Sequence, residues 1–199
     1  MNSEGKDFKK LEDIRLTYAD KWILSRLNNV VKEVTINLNK YEIGLATGKL
    51  YDFVWSDFCD WYIEATKPML YGDNERAKLN ALTVLNFVLD EILKLMHPFI
   101  PFVTEEIYQY KQTGKCHALM MQEWPKYNKK FNYYKEAKAF EGVMDIIKAI
   151  RNVRNEMQVA PSKKIKVYVK AGEHAAVVEK LSTYIEKMAG VGEVVMTDE

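Results

Sequence analysis

Any chemistry in this chain has to come from a short inventory of side chains. The histidines are His97, His117 and His174, and the cysteines are Cys59 and Cys116. Cys116 and His117 are adjacent, and neighbours in a regular element cannot easily ligate one ion together. No further ligand stands near in sequence, and neither CxxC nor paired Cys/His spacing occurs, so no metal site is expected. His97 reads as a helix-end cap and the other histidines as loop residues. Asp52, Asp57, Asp60 and Glu64 line one side of a helix, where carboxylates can divide the roles of acid and base; a solvated face gives the same spacing. There is no glycine-rich phosphate loop, no GxSxG and no recognisable Ser/His/Asp frame. No catalytic residue is assigned and no cofactor is expected.

Side chains suited to recognition are more plentiful. On a wheel of about 100° per residue, Phe58 is the centre of an apolar helix face, with Val54, Trp61, Ala65, Tyr62 and Tyr51 around it. Phe53 falls on the acidic side. Trp61 lies at the border, where a ring supported by the core can still present a face to a nucleobase, although plain core packing accounts for it as well. Between Lys148 and Lys170 stand Lys148, Arg151, Arg154, Lys163, Lys164, Lys166 and Lys170 against Glu156 alone, a local charge of +6 in a chain whose net charge is +1, leaving −5 elsewhere. Arg151 and Arg154 on a helix, with Lys163 and Lys164 just after Pro161, form a plausible phosphate track; a merely solvated run is the alternative.

The elements that must position these residues are mostly helical. Ile23, Leu24, Leu27, Val30, Val31, Val34 and Leu38 recur at helical spacing, which predicts a first helix from Tyr18 to Asn39. Leu50, Val54, Phe58, Trp61 and Ala65 predict a second from about Glu42 to Lys67, stopped by Pro68. After the turn residues Gly72, Asp73 and Asn74, the series Leu82, Leu85, Leu89, Ile92 and Met96 predicts a third, ending at His97 before Pro98. A fourth starts near Pro101, with Glu105 and Glu106 set for the helix dipole and Gly114 as its close. Residues 113–132 read as a loop whose Met120, Met121 and Trp124 fold back on the bundle. A fifth helix spans Tyr134 to Met157, with Phe140, Val143, Ile146, Ile147, Ile150 and Val153 inward and Pro161 beyond its end. Ile165, Val167 and Val169 then alternate with Lys164, Lys166, Tyr168 and Lys170 as a half-buried strand ended by Gly172. A helix from Ala175 to Met188 and a strand from Val191 to Met196 complete a βαβ-like piece too short to bury a core of its own.

With 199 residues, 48% hydrophobic and 12% aromatic, the chain has enough apolar surface to fold, and its length suits one domain and a small second unit. No run of about 18 apolar residues occurs, and MNSEGKDFKK lacks the apolar centre of a signal peptide, which points away from membrane and secretion. Two distant cysteines fit a reducing cytoplasm. The end at Asp198 and Glu199 reads as a cut in a longer chain, with further strands downstream.

Five strings together exceed coincidence: ADKWILSRLN, YDFVWSDFCDWYIEATKP, LMHPFIPFVTEEIY, MMQEWP and IRNVRNEMQVAPSKKI. They resemble the valyl-tRNA synthetases, a class I aminoacyl-tRNA synthetase family, over nearly the whole chain. The second and the last favour the valine enzymes over their isoleucine and leucine sisters. The resemblance implies a mainly α fold: an anticodon-binding helical bundle of the class Ia type at 1–133, then a fifth helix and the start of a small, incomplete α/β junction unit at 134–199. It implies binding of the anticodon stem-loop of valine tRNA, and docking on the catalytic domain of the same polypeptide, in the cytoplasm, without membrane or DNA. ATP and Mg belong to that upstream domain with its HIGH and KMSKS-like motifs; neither motif is in this chain, nor is the editing insertion, so the chain alone is expected to be inactive. Met1 resembles an internal methionine that follows a helix rich in Asn and Arg. In the related methionine enzyme a tryptophan at the matching point of helix two stacks on an anticodon base, which makes Trp61 the first candidate. Phe58, Phe53, Lys49 and Lys40 follow, with Met120 and Met121 as apolar contacts and Arg151, Arg154, Lys163 and Lys164 on the tRNA backbone. The alternative is a protein–protein interaction bundle with no RNA role.

Overall fold

The computed structural model describes residues 10–111, 117–160 and 162–197, and it divides into two compact units, Met1–Tyr133 and Tyr134–Glu199. In the first unit, α1 (Tyr18–Asn39) opens on a capping box. Thr17 Oγ1 accepts from the Asp20 amide, and the Asp20 carboxylate accepts from the Thr17 amide at 2.8 Å, so amides left unpaired by the helical ladder find reciprocal partners. Ile23, Leu27, Val30, Val31 and Val34 are buried along the face that the apolar spacing marks, and Trp22 and Leu24 beside them are buried as well.

The second helical rod departs from its expected end and its expected wheel. It runs as α2 (Ile43–Asp52), a π-helical stretch (Phe53–Ile63) and α3 (Glu64–Leu70), continuous because Asp52, Phe53, Ile63 and Glu64 all keep right-handed helical dihedrals. Pro68 lies inside α3 rather than ending it. A proline's fixed φ is itself helical, and only its missing N–H and its ring oppose continuation. The rod therefore reaches Leu70, and the Tyr71 amide donates to the Lys67 carbonyl at 3.0 Å. The turn that follows needs a glycine, since a Cβ on Gly72 would stand 2.8 Å from the Pro68 carbonyl oxygen.

Asn74 caps α4 (Glu75–Met96) by accepting from the Ala77 amide. His97 ends that helix, and α5 (Pro101–Lys111) follows. Glu105 lies beyond the first turn of α5; its carboxylate accepts instead from the Leu119 amide at 2.8 Å and from Gln109. That bond fixes a short 3₁₀ turn, Leu119–Met121, which corrects the loop reading. Leu119 is the residue that enters the core, against Leu93, Tyr108 and Leu89, while Met120 and Met121 are 73% and 72% exposed. A turn this tight sends one of its side chains inward. Trp124 does fold back, donating from Nε1 to Thr35 Oγ1 at 3.0 Å. Further along, Asn28 and Ser25 of α1 bond the backbone of Asn128, Phe131 and Tyr133. Gly114 lies outside the described residues.

In the second unit, α6 (Tyr134–Glu156) buries Phe140, Val143, Met144 and Ile147. Val153 is 55% exposed, because Arg154 takes the inward position of the last turn. The helix ends with Gln158 in the left-handed region (φ 51°) and the Val159 amide on the Arg154 carbonyl at 2.8 Å; Pro161 lies outside the described residues. Strands β1 (Ile165–Val169) and β2 (Val191–Met196) pair in parallel, with a register irregularity at Ile165/Lys166. The crossover is two helices, α7 (Ala175–Lys180) and α8 (Ser182–Ala189), rather than one. Leu181 breaks the helical dihedrals and is thereby buried. Gly190 closes α8 at φ 66°, a left-handed cap that glycine adopts without strain. The βαβ piece gains its core from α6: Phe140 meets Tyr184 edge to face at 5.2 Å, and Val178, Ile185 and Val191 are buried.

Candidate nucleic-acid interface

The π-helical stretch decides which aromatic residues are available. Its i→i+5 bonds widen the turn, so residues five apart stack on one face. Phe53 and Phe58 are such a pair, and both are buried, at 1% and 7% exposure, with Tyr62 at 0%. Placing Phe53 on the acidic side assumed an α-helical advance per residue that the stretch does not have. Neither phenylalanine can present a face to a base, and both are corrected from recognition candidates to core. Trp61 is half-buried. Tyr51, in the last turn of α2, and Trp55, in the π-helical stretch, both point outward, at 66% and 59% exposure, with ring planes 5° apart and centroids separated by 6.3 Å. Trp55 is the residue that the uniform wheel missed; the aromatic pair at i and i+4, Tyr51 and Trp55, was the available signal.

The carboxylates of this rod form no acid–base pair. Arg26 Nε binds Asp57 at 2.8 Å, and Lys67 binds Glu64 at 2.5 Å, while Asp52 and Asp60 face solvent. Burial first, and Asp60 second, push the Cys59 thiol above its usual pKa, the opposite of an activated nucleophile. His97 Nδ1 lies 2.9 Å from Thr104 Oγ1. That hydroxyl also lies within hydrogen-bonding distance of the Ile100 and Pro101 carbonyls, so His97 serves the α4–α5 corner. Among the described residues no group of three or more His, Cys, Asp and Glu is arranged to hold a metal ion.

The basic candidates separate by burial. Lys40 is exposed at the end of α1, and Lys49 pairs with Glu33 at 2.9 Å on the surface. In the second unit Arg154 is 8% exposed. Its Nη2 donates to the Ala160 and Lys163 carbonyls at 2.7 and 3.0 Å, and its Nη1 to Gly190 at 3.4 Å. It is a corrected assignment: a buried guanidinium that donates to three carbonyls staples the end of α6 to the segment before β1, and its burial keeps it from clasping a phosphate on the surface. Arg151 is exposed and holds the Met188 carbonyl with Nε and Nη2, at 3.1 and 2.7 Å. Lys163 and Lys164 are fully on the surface. Lys166 is engaged by Glu193 at 3.0 Å, and this hydrogen bond raises the lysine's pKa. The groove lined by Arg151, Asn155, Gln158 and Gly190 holds about 430 Å³.

Comparison with known proteins identifies what this bundle is related to. Residues 20–169 match a family described as the anticodon-binding domain of tRNA ligase. The chain is 47% identical to the valine–tRNA ligase of Clostridium acetobutylicum over 92% of its length, and 44% identical to that of Clostridium perfringens over all of it. The valine–tRNA ligase of Bacillus anthracis is 41% identical over 96% of the chain. The chain spans only about a fifth of these relatives, 20%, 23% and 22% of their lengths. With three quarters of its residues inside the matched region and that identity across the helices described above, the chain belongs to the anticodon-binding domain family of tRNA ligases.

Proposed function

We propose that this chain is the tRNA-binding module of a valine–tRNA ligase, holding the anticodon arm of valine tRNA so that the acceptor end reaches a catalytic site carried elsewhere in a longer protein. The observation that carries the reading is the 41–47% identity to valine–tRNA ligases along nearly the whole chain. Its contribution to catalysis is positional: binding energy at one end of the tRNA fixes the other end near its reactants. ATP and Mg act in the catalytic domain, and the helices described here supply surface rather than reacting groups. The cytoplasm is the setting that goes with this tRNA-ligase reading. Among the described residues no helix is long and apolar enough to cross a membrane.

Phosphate contacts set register, and base contacts set specificity. Lys163, Lys164 and Arg151 are the backbone candidates of the second unit, and Lys40 and Lys49 those of the first. Trp61, Met120 and Met121 remain candidates for contact with unstacked loop bases. Filter binding of valine tRNA at two salt concentrations tests the reading. Phosphate neutralisation gives an affinity that falls steeply with salt; no measurable binding, or a flat salt response, overturns it. One observation favours the interaction-bundle alternative: Phe102, Val103, Ile107 and Tyr110 form an exposed apolar stripe on α5, larger than scattered surface apolars require. A chain that ignores tRNA would put that reading first.

A further inference from the structure

We propose that Tyr51 and Trp55 form a stacking platform for an unpaired RNA base, a contact that the buried Phe53 and Phe58 cannot make. The inference rests on the tRNA-binding reading above and names the residues through which the first unit meets a loop base.

Both rings are large, mostly exposed and nearly parallel, and both project from a rod anchored by the buried Leu50, Phe53, Phe58 and Tyr62. Exposed aromatic rings on a rigid support are what single-stranded nucleic acid uses, because every base has a π-face to stack. The surface beside them is unusually open. Gly44, Gly48, Tyr51 and Trp55 recur at helical spacing and are all exposed, and a Cβ added at Gly44 or Gly48 would meet nothing within 4 Å. Glycine inside a helix is less favourable than alanine, and no contact within the described chain requires it here. Close approach of a ligand to the backbone does.

The surroundings select the occupant. An apolar helix of another protein needs a broad apolar stripe, whereas this strip carries the exposed Lys49, Asp52 and Ser56 among its neighbours, with Leu45 the exposed aliphatic side chain beside the glycines. Asp52 beside the rings disfavours a phosphate directly over them, so the contact is ring to base. A phosphate further along is met by Lys49, whose solvent-exposed pair with Glu33 is readily exchanged.

The test uses the full chain, a stem-loop RNA bearing the valine anticodon loop, and the same RNA with single loop bases removed to leave abasic sugars. Trp55→Ala and Tyr51→Ala should each weaken binding of the intact RNA by roughly 5- to 150-fold, the loss expected for one stacked base. The loss should be the same at low and high salt, since no charge is removed. One abasic RNA should bind wild type and Trp55→Ala alike, and Trp55→Phe should keep most of the affinity. Unchanged affinity in the alanine variants overturns the platform while leaving tRNA binding intact, as does an equal loss on every abasic RNA. Failure of the wild-type chain to bind the stem-loop overturns both.

Discussion

The phenol of Tyr62 donates a 2.6 Å hydrogen bond to Asp20 Oδ1 in the buried interior, across 42 residues of sequence. The other carboxylate oxygen of Asp20 accepts from the amide and the hydroxyl of Thr17 at 2.8 Å each, so the group that caps α1 also anchors the end of the π-helical stretch. Tyr62→Phe removes one donor and leaves a buried carboxylate oxygen unmatched, which should lower unfolding free energy by about 1–3 kcal/mol. Urea unfolding followed by circular dichroism measures it; a change under about 0.5 kcal/mol would show the bond to be incidental.

Arg154 and its lysine neighbours should behave oppositely, although they belong to one basic run. Arg154→Ala strands three carbonyls that the guanidinium serves, and a loss of roughly 2–4 kcal/mol follows from broken buried bonds and lost packing. Arg154→Lys should recover little, because an ammonium cannot span that fork. Lys163→Ala with Lys164→Ala should leave the melt unchanged and flatten the salt dependence of tRNA binding by about one unit of slope per lysine. A stable Arg154→Ala chain with weakened tRNA binding would return the arginine to the RNA surface.

How far these roles could be read in advance depended on which physical signal each residue carried. The spacing of Ile23 through Leu38 and of Leu82 through Met96 marks α1 and α4 because a regular α-helix repeats at a fixed angle. Helix two breaks that premise: the π-helical bonds from Phe53 to Ile63 shift every later residue on the wheel, burying Phe53 and exposing Trp55. The strings around Tyr51–Pro68 still carried the family resemblance, which depends on residue identity and not on the wheel. Charge alone could not separate Arg154 from Lys163, since the difference lies in carbonyls contributed by Ala160, Lys163 and Gly190. Met120 and Leu119 differ by a single position in a 3₁₀ turn, a distinction no apolar count resolves.

Cys59 supplies a pH-dependent test of the same rod. Its raised pKa means that the folded chain holds the thiol proton to higher pH than the unfolded chain does. The associated stability is intact below the unfolded thiol pKa of about 8.5 and is lost as pH rises from there through the folded value. Cys59→Ala should therefore remove part of the alkaline decline in unfolding free energy while leaving neutral-pH behaviour close to wild type. In a Cys116→Ser background, iodoacetamide should modify Cys59 more slowly than a free thiol at the same pH. A rate at or above that of the free thiol would contradict the shift.

Trp61 separates core from recognition by a double comparison. It is half-buried on the π-helical stretch, next in sequence to Asp60 and to the fully buried Tyr62. Truncating a fully packed tryptophan costs about 3–5 kcal/mol of stability, whereas losing a stacked base costs about 1–3 kcal/mol of binding. Half-burial predicts a share of each. Trp61→Ala should lower stability by roughly 2 kcal/mol and should weaken binding of valine tRNA more than that of a transcript with altered anticodon bases. Trp61→Phe keeps an aromatic plane and most of the volume, so it should melt near wild type and bind only modestly worse. Thermal melts and filter binding of both transcripts to each variant decide the matter. A sharp fall in melting temperature with equal penalties on the two transcripts would assign Trp61 to the core, and base recognition on this rod would then rest with Tyr51 and Trp55.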